Sequence, residues 1–216
     1  MAELSNISVA VIQTGMGVQK AKLVCQKIFA KSSYHLAISS GFAGSLISSS
    51  IGDIVIPESV VLGVQDRSEQ NELSSFPCSV EYCQIIQRAL ESRKLSWLPG
   101  LLVTVTWIVC STAEKNVLAQ QYQASALDME SAGIAAVAKE YKIPFVVIRT
   151  VSDLVGENLP EAFNLFLSPS TWIQGGWRMV SQPRTWAQVY RIRGQTNVAS
   201  RELTNFFDTF FTYLRQ

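Results

Sequence analysis

The chain has 216 residues, 48% hydrophobic and 16% charged, with a formal net charge of +1 at neutral pH. That balance excludes an intrinsically disordered polymer and supplies no long-range field to gather a phosphate backbone, so a small ligand is expected as partner and nucleic acid is not. The start, Met1 to Ser8, lacks a basic-then-apolar signal pattern and no apolar run approaches the roughly 18 residues of a bilayer span, so a soluble cytoplasmic protein without a transmembrane segment is expected.

A chain of this length fits one domain, and no linker rich in Gly, Pro and Ser divides it. Residues 1–216 are therefore read as a single domain with a helical C-terminal part from about residue 160. Cys25, Cys78, Cys83 and Cys110 form no CxxC pair and are distant in sequence from the only histidine, His35. Neither a metal site nor a disulfide framework is indicated, and no cofactor is expected. His35 falls between a helix-like stretch and a strand, where a structural role is the simpler reading, and any histidine-based mechanism would rest on it alone.

In chain order, Ile7 to Ile12 is a β-branched run ending in Thr14-Gly15-Met16-Gly17, followed by helical spacing over Val18 to Ala30. Leu36 to Ile38 repeats the pattern by running into Ser39-Ser40-Gly41-Phe42-Ala43-Gly44, read as a glycine turn. Asp53 to Ile56 and Ser59 to Leu62 are strands separated by Pro57, Asp66 to Ser79 is a polar surface loop, and Glu81 to Ser92 is a helix. Leu101 to Val109 reads as a strand, Asp128 to Tyr141 as an alanine-rich helix, and Pro144 to Val151 as a buried strand. Beyond Pro160, the aromatics Phe163, Trp172, Trp177, Trp186, Tyr190, Phe206, Phe207, Phe210 and Phe211 lie in helical segments that Pro169 and Pro183 break into three short to medium helices. Alternating strands and helices predict a three-layer α/β/α sandwich around a central mixed, largely parallel sheet, with ligands at the carboxyl ends of strands.

Three segments carry chemistry. Gly41-Phe42-Ala43-Gly44 offers small residues that let backbone amides approach a ligand, although a tight structural turn needs the same residues. Asp128-Met129-Glu130 places two carboxylates at a helix start. The helix dipole explains Asp128, worth about 0.3–1 kcal/mol. Glu130, among small apolar neighbours, is suited to accepting hydrogen bonds from two adjacent sugar hydroxyls. Asp153 ends the most apolar strand, where neighbours that partly desolvate it would suit it to donate a proton, and Arg149 on the same strand is an internal counter-charge.

Gln13 to Gly17, Ser39 to Leu46 with Ile51 to Ile56, and Leu127 to Ala132 with Phe145 to Asp153 resemble, in order and spacing, blocks of the nucleoside phosphorylase and nucleosidase superfamily, in particular methylthioadenosine and adenosylhomocysteine nucleosidases. The Met-Glu block followed some twenty residues later by Arg-x-x-Ser-Asp carries most of this likeness. The resemblance implies that Glu130 binds the ribose 2′ and 3′ hydroxyls, that Asp153 protonates purine N7, and that Ser152 orients Asp153. It further implies that Met129 packs under the ribose, that Gly41, Phe42 and Gly44 line the substrate site, and that Trp107, Ile108 and Val109 flank the purine.

The implied activity is cleavage of the N-glycosidic bond of a 5′-modified adenosine by a homo-oligomer, a dimer being favoured. Ser39 and Phe42 stand where phosphorolytic relatives carry an arginine and a serine for phosphate, which favours hydrolysis. Relatives also begin with an extra strand bearing the acid that activates water; this chain is read as starting after it, so the activator is unassigned. Two alternatives follow. One is a nucleoside-binding module without turnover; the other is a hopanoid-associated nucleosidase or phosphorylase acting on adenosylhopane, which the Phe163-to-Leu167 segment, the tail aromatics and Pro183-Arg184 resemble.

Overall fold

The computed structural model describes residues 2–4, 7–63, 74–160 and 183–214. β1 (Ala2–Leu4) and β2 (Ile7–Val9) form an antiparallel hairpin that stands apart from the main sheet. The expected strand Ile7 to Ile12 thus stops at Val9, and it is not part of the central sheet. Val11 and Ile12, 91% and 38% exposed, have no sheet face to cover them. α1 (Val18–Phe29) then buries Val18, Ala21 and Cys25, which recur at the spacing of one helical stripe.

Among the described residues the main sheet has eight strands: β3 (Ala37–Ser45), β4 (Ile54–Val55), β5 (Ser59–Leu62), β6 (Ser75–Pro77), β7 (Trp97–Leu98), β8 (Leu101–Thr104), β9 (Ala124–Asp128) and β10 (Phe145–Asp153). Their spatial order is β6-β5-β8-β9-β3-β10-β4-β7. Four of the seven pairings are parallel, β10 with β3 at the centre among them. The other three are antiparallel. The remaining helices are α2 (Val80–Arg93), α3 (Thr112–Tyr122), α4 (Ser131–Glu140) and α5 (Pro183–Tyr213).

β10 shows why the molecule has three layers. Its Phe145, Val147 and Val151 join Ala21, Cys25, Ala132 and Ala135 of α1 and α4, whereas Val146 and Ile148 join Ile86, Leu90, Phe206 and Phe210 of α2 and α5. Period-two alternation therefore feeds two cores, and both faces are covered. A third cluster packs Leu118 and Tyr122 of α3 on Val103, Val105 and Leu127. α1 crosses α4 closely because Gly133 has no side chain: a Cβ there would lie 2.4 Å from the Val18 carbonyl oxygen.

Several boundaries differ from expectation. Gly41 to Gly44 is not a turn but lies inside β3, paired with Arg149, Thr150, Val151 and Asp153 of β10. The expected strand to Val109 ends at Thr104, and Ser75–Pro77, expected in a loop, pairs with β5. α3 and β9 carry no expectation from the sequence. In the tail, Pro183 begins a helix at the boundary expected there, a position that proline tolerates because the first amide needs no partner, but the helix runs for 31 residues and is not short to medium. The buried Phe206 and Phe210 of this helix pack on the sheet. Phe163 to Leu167, Pro169, Trp172 and Trp177 lie outside the described residues.

None of the four cysteines is joined in a disulfide. A hydrogen bond between Cys78 and Cys83 pushes the Cys78 thiol up and the Cys83 thiol down. His35 is exposed between α1 and β3. No helix among the described residues is long and apolar enough to cross a membrane.

Candidate active site

Arg149, only 4% exposed, is the hub of the first half of the site. It lies on the β10 face that looks toward α4, and its planar fork reaches five groups. Nη2 is 2.8 Å from Asp128 Oδ2 and 3.3 Å from Glu130 Oε2, and it donates to Ser39 Oγ at 3.1 Å. Nη1 donates to the Phe42 carbonyl at 2.8 Å and Nε to Ser131 Oγ at 3.3 Å. A buried guanidinium needs such company, and the two acids supply the charge that offsets its desolvation.

The acids divide the work. Asp128 is internal: Oδ1 accepts from Thr104 Oγ1 at 2.6 Å and Oδ2 from the Ser131 amide at 3.0 Å, at the start of α4. Glu130 is half-buried at the junction of β9 and α4, and its Oε1 accepts from the Gly17 amide at 2.9 Å, at the N-terminus of α1. Each Glu130 oxygen thus spends one lone pair on the protein and keeps another. That is the arrangement needed to receive two neighbouring hydroxyls.

Asp153 forms the other half. Register along β10 and β3 runs evenly from Phe145↔Ala37 to Val151↔Ala43, then skips Ser152 so that Asp153 stands opposite Gly44. Ala43 belongs to the α1/α4 core and Leu46 to the α3 core, so by alternation Gly44 faces α3. The bulge thereby turns Asp153 away from the face of Val151 and toward α3. Waiting there is Lys115, fully buried, with Nζ 2.5 Å from Asp153 Oδ2. In place of the apolar surround expected at the strand end, the acid meets an ammonium. Ser152 Oγ lies 3.2 Å from Asp153 Oδ1 and 3.4 Å from the Ala43 carbonyl, within donating reach of either.

The remaining residues singled out in the sequence surround these two halves. Gly41 sits at φ 145°, and a Cβ there would be 3.2 Å from Arg149 Nη1. Phe42, 38% exposed, gives its carbonyl to Arg149 and its ring to the surface. Met129 is half-buried between Asp128 and Glu130. Trp107, Ile108 and Val109 lie on the connection from β8 to α3, where Val109 is buried with Leu118 and Trp107 packs at the edge of that cluster. Ser39 is fully buried, 2.8 Å from Ser131 Oγ. Sequence reasoning missed Lys115, although it occupies the first place of a buried 115, 118, 122 stripe on α3.

Comparison with known proteins agrees with this architecture. The family model for the phosphorylase superfamily matches residues 1–168. The 5′-methylthioadenosine/S-adenosylhomocysteine nucleosidase of Staphylococcus epidermidis is 26% identical over 185 residues, which cover 77% of this chain and 78% of that protein. Two solved structures share the fold. Futalosine hydrolase of Helicobacter pylori superposes with a TM-score of 0.71 at 16% identity, over 92% of this chain and 77% of that one. The 5′-methylthioadenosine/S-adenosylhomocysteine nucleosidase of Neisseria meningitidis, in complex with methylthio-immucillin-A, gives 0.70 at 19% identity, over 92% and 78%. A match through most of its length, on a three-layer fold of the same architecture, makes this chain a member of the phosphorylase superfamily.

Proposed function

We propose that this chain is a purine nucleosidase that hydrolyses the N-glycosidic bond of a 5′-modified adenosine, of the methylthioadenosine or adenosylhomocysteine type. The observation that carries this reading is the pairing of two carboxylates with different surroundings, one anchored to β10 through Arg149 and the other at its end. Glu130 is fixed by Arg149 of β10 and by the Gly17 amide; Asp153, four residues beyond Arg149, is fixed by Lys115. The relatives from Staphylococcus epidermidis and Neisseria meningitidis are nucleosidases of such nucleosides, which supports the substrate class.

Breaking the bond leaves an oxocarbenium-like sugar and an electron-rich purine. Glu130 receives the 2′ and 3′ hydroxyls, and its negative charge favours the cationic sugar. Asp153 delivers a proton to N7, and Ser152 orients it. Met129 packs under the ribose, the Gly41–Gly44 segment with the Phe42 ring lines the pocket, and Trp107 to Val109 flank the base.

Hydrolysis is favoured over phosphorolysis because Arg149 already spends its contacts on Asp128, Glu130, Ser39 and the Phe42 carbonyl. Assembly as a homo-oligomer, a dimer first, in the cytoplasm belongs to the same reading. Exposed Met16 and Phe42 adjoin the backbone groups that hold Glu130 and Arg149, so apolar surface borders the site.

The test is a pair of variants. Asp153→Asn is expected to lower kcat for methylthioadenosine by about 100-fold or more while binding stays measurable, the range of general-acid catalysis. Glu130→Gln is expected to raise KM and lower kcat together, because the ribose contact exists in ground and transition states. Wild-type turnover in Asp153→Asn would overturn the assignment.

A further inference from the structure

Lys115 takes no step of its own in the chemistry above, yet it is a charged side chain that the fold buries completely. An ammonium withdrawn from water is costly unless its charge is paired and its donors are satisfied. Here both conditions hold. Nζ has three donors and three oxygen partners: Asp153 Oδ2 at 2.5 Å, the Leu154 carbonyl at 2.7 Å and the Glu157 carbonyl at 3.3 Å.

The two carbonyls belong to a segment that other contacts pin. Val155 N donates to Ser45 Oγ, Leu154 N to Glu157 Oε2, and Leu159 N to the Cys110 carbonyl. Asn158 Oδ1 accepts from the Thr112 amide and hydroxyl at the start of α3, and Gln195 of α5 donates to both oxygens of Glu157. The ammonium is therefore held by fixed groups. Two of its three contacts are to backbone carbonyls of this pinned segment, and the third is to Asp153.

We propose that Lys115 is the positioning residue of the general acid: it holds Asp153 Oδ2, leaves Oδ1 to face the base, and stays as counter-ion when the proton has left. This role rests on the nucleosidase reading. In the step, the C1′–N9 bonding pair passes to the purine and the proton on Asp153 Oδ1 passes to N7. Water oxygen bonds to C1′ and releases its proton to solvent, from which Asp153 recovers one. The pair begins with one net positive charge and ends neutral as a contact ion pair, so no carboxylate is left unpaired in a buried site. Ser152 donates to the Ala43 carbonyl while Oδ1 carries the proton and to Oδ1 afterwards, both within its present reach.

The experiment compares adenine release from methylthioadenosine by wild type, Lys115→Met, Asp153→Asn and the double variant. The expected result for Lys115→Met is a kcat lowered about 10- to 100-fold with KM changed by less than about threefold, the worth of a charge-assisted bond that strengthens as Asp153 gives up its proton. In the Asp153→Asn background the same substitution is expected to cost less than about threefold, since no acid remains to be held. If Lys115→Met does not fold, the double variant, which buries no unpaired charge, supplies this second comparison alone. Equal activity of Lys115→Met and wild type would overturn the proposal, as would losses that simply add in the double variant or a rise in KM that accounts for the whole defect. Absence of adenine release by the wild type would instead overturn the nucleosidase reading, and the Lys115 role with it.

Discussion

A methyl group on Gly44 would stand 2.9 Å from Asp153 Oδ2 and 3.3 Å from Oδ1, so the acid occupies the space of the side chain that its register partner lacks. Gly44 does not have a positive φ, which leaves the collision with Asp153 as the cost of adding a Cβ. Gly44→Ala is expected to displace the carboxylate from Lys115 while leaving the sheet paired. Turnover should fall by roughly 100-fold, the cost of an ångström-scale misplacement of a reacting group. Adenine release read beside a circular-dichroism melt checks this: a large fall in rate with a similar midpoint is the expected pair of results.

Arg149 serves stability as much as geometry. Arg149→Met leaves the fully buried Asp128 side chain and the largely buried Glu130 without their counter-charge. Removing one partner from such a network costs about 3–5 kcal/mol, so urea unfolding is expected to show a much lower midpoint. Arg149→Lys is expected to recover little. A single ammonium cannot reach the Ser131 hydroxyl, the Phe42 carbonyl and Asp128 at once as the planar fork does. Full stability in the lysine variant would show that charge alone is needed.

The central strand β10 and the places of the two acids are legible in the sequence for one reason. Phe145 to Ile148 is a continuous apolar run that Val151 resumes after Arg149 and Thr150, and a strand covered on both faces uses so many apolar residues without alternation. Glu130 and Asp153 follow from their places at the ends of such elements. The Gly41–Gly44 segment reads as a turn because glycines usually mark one. Here they mark close approach instead, Gly41 to the Arg149 guanidinium and Gly44 to the Asp153 carboxylate, and no local pattern separates the two causes. Lys115 was hidden in a similar way. A lysine on an 11-residue helix reads as a solvated charge, and only its partner 38 residues away explains its burial. The capping box of Ser111 and Glu114 was the signal that a helix began there.

The anion question has its own outcome. Ser39 is fully buried against Ser131 and Arg149, and the Phe42 side chain has no hydrogen bond to offer a phosphate. Cleavage is therefore expected at the same rate with and without millimolar phosphate, with free sugar as product. Phosphorus NMR checks it, since a sugar 1-phosphate that accumulates only with added phosphate would mean that the chain is a phosphorylase.

Breaking of an N-glycosidic bond by this protein is measured as the release of adenine from methylthioadenosine by the purified chain, followed by chromatography. Adenine and free sugar are expected in equal amounts, formed catalytically without added metal. Protein that binds methylthioadenosine, as titration calorimetry would register, yet yields no adenine over hours would contradict the nucleosidase reading and leave a nucleoside-binding module on an enzyme fold.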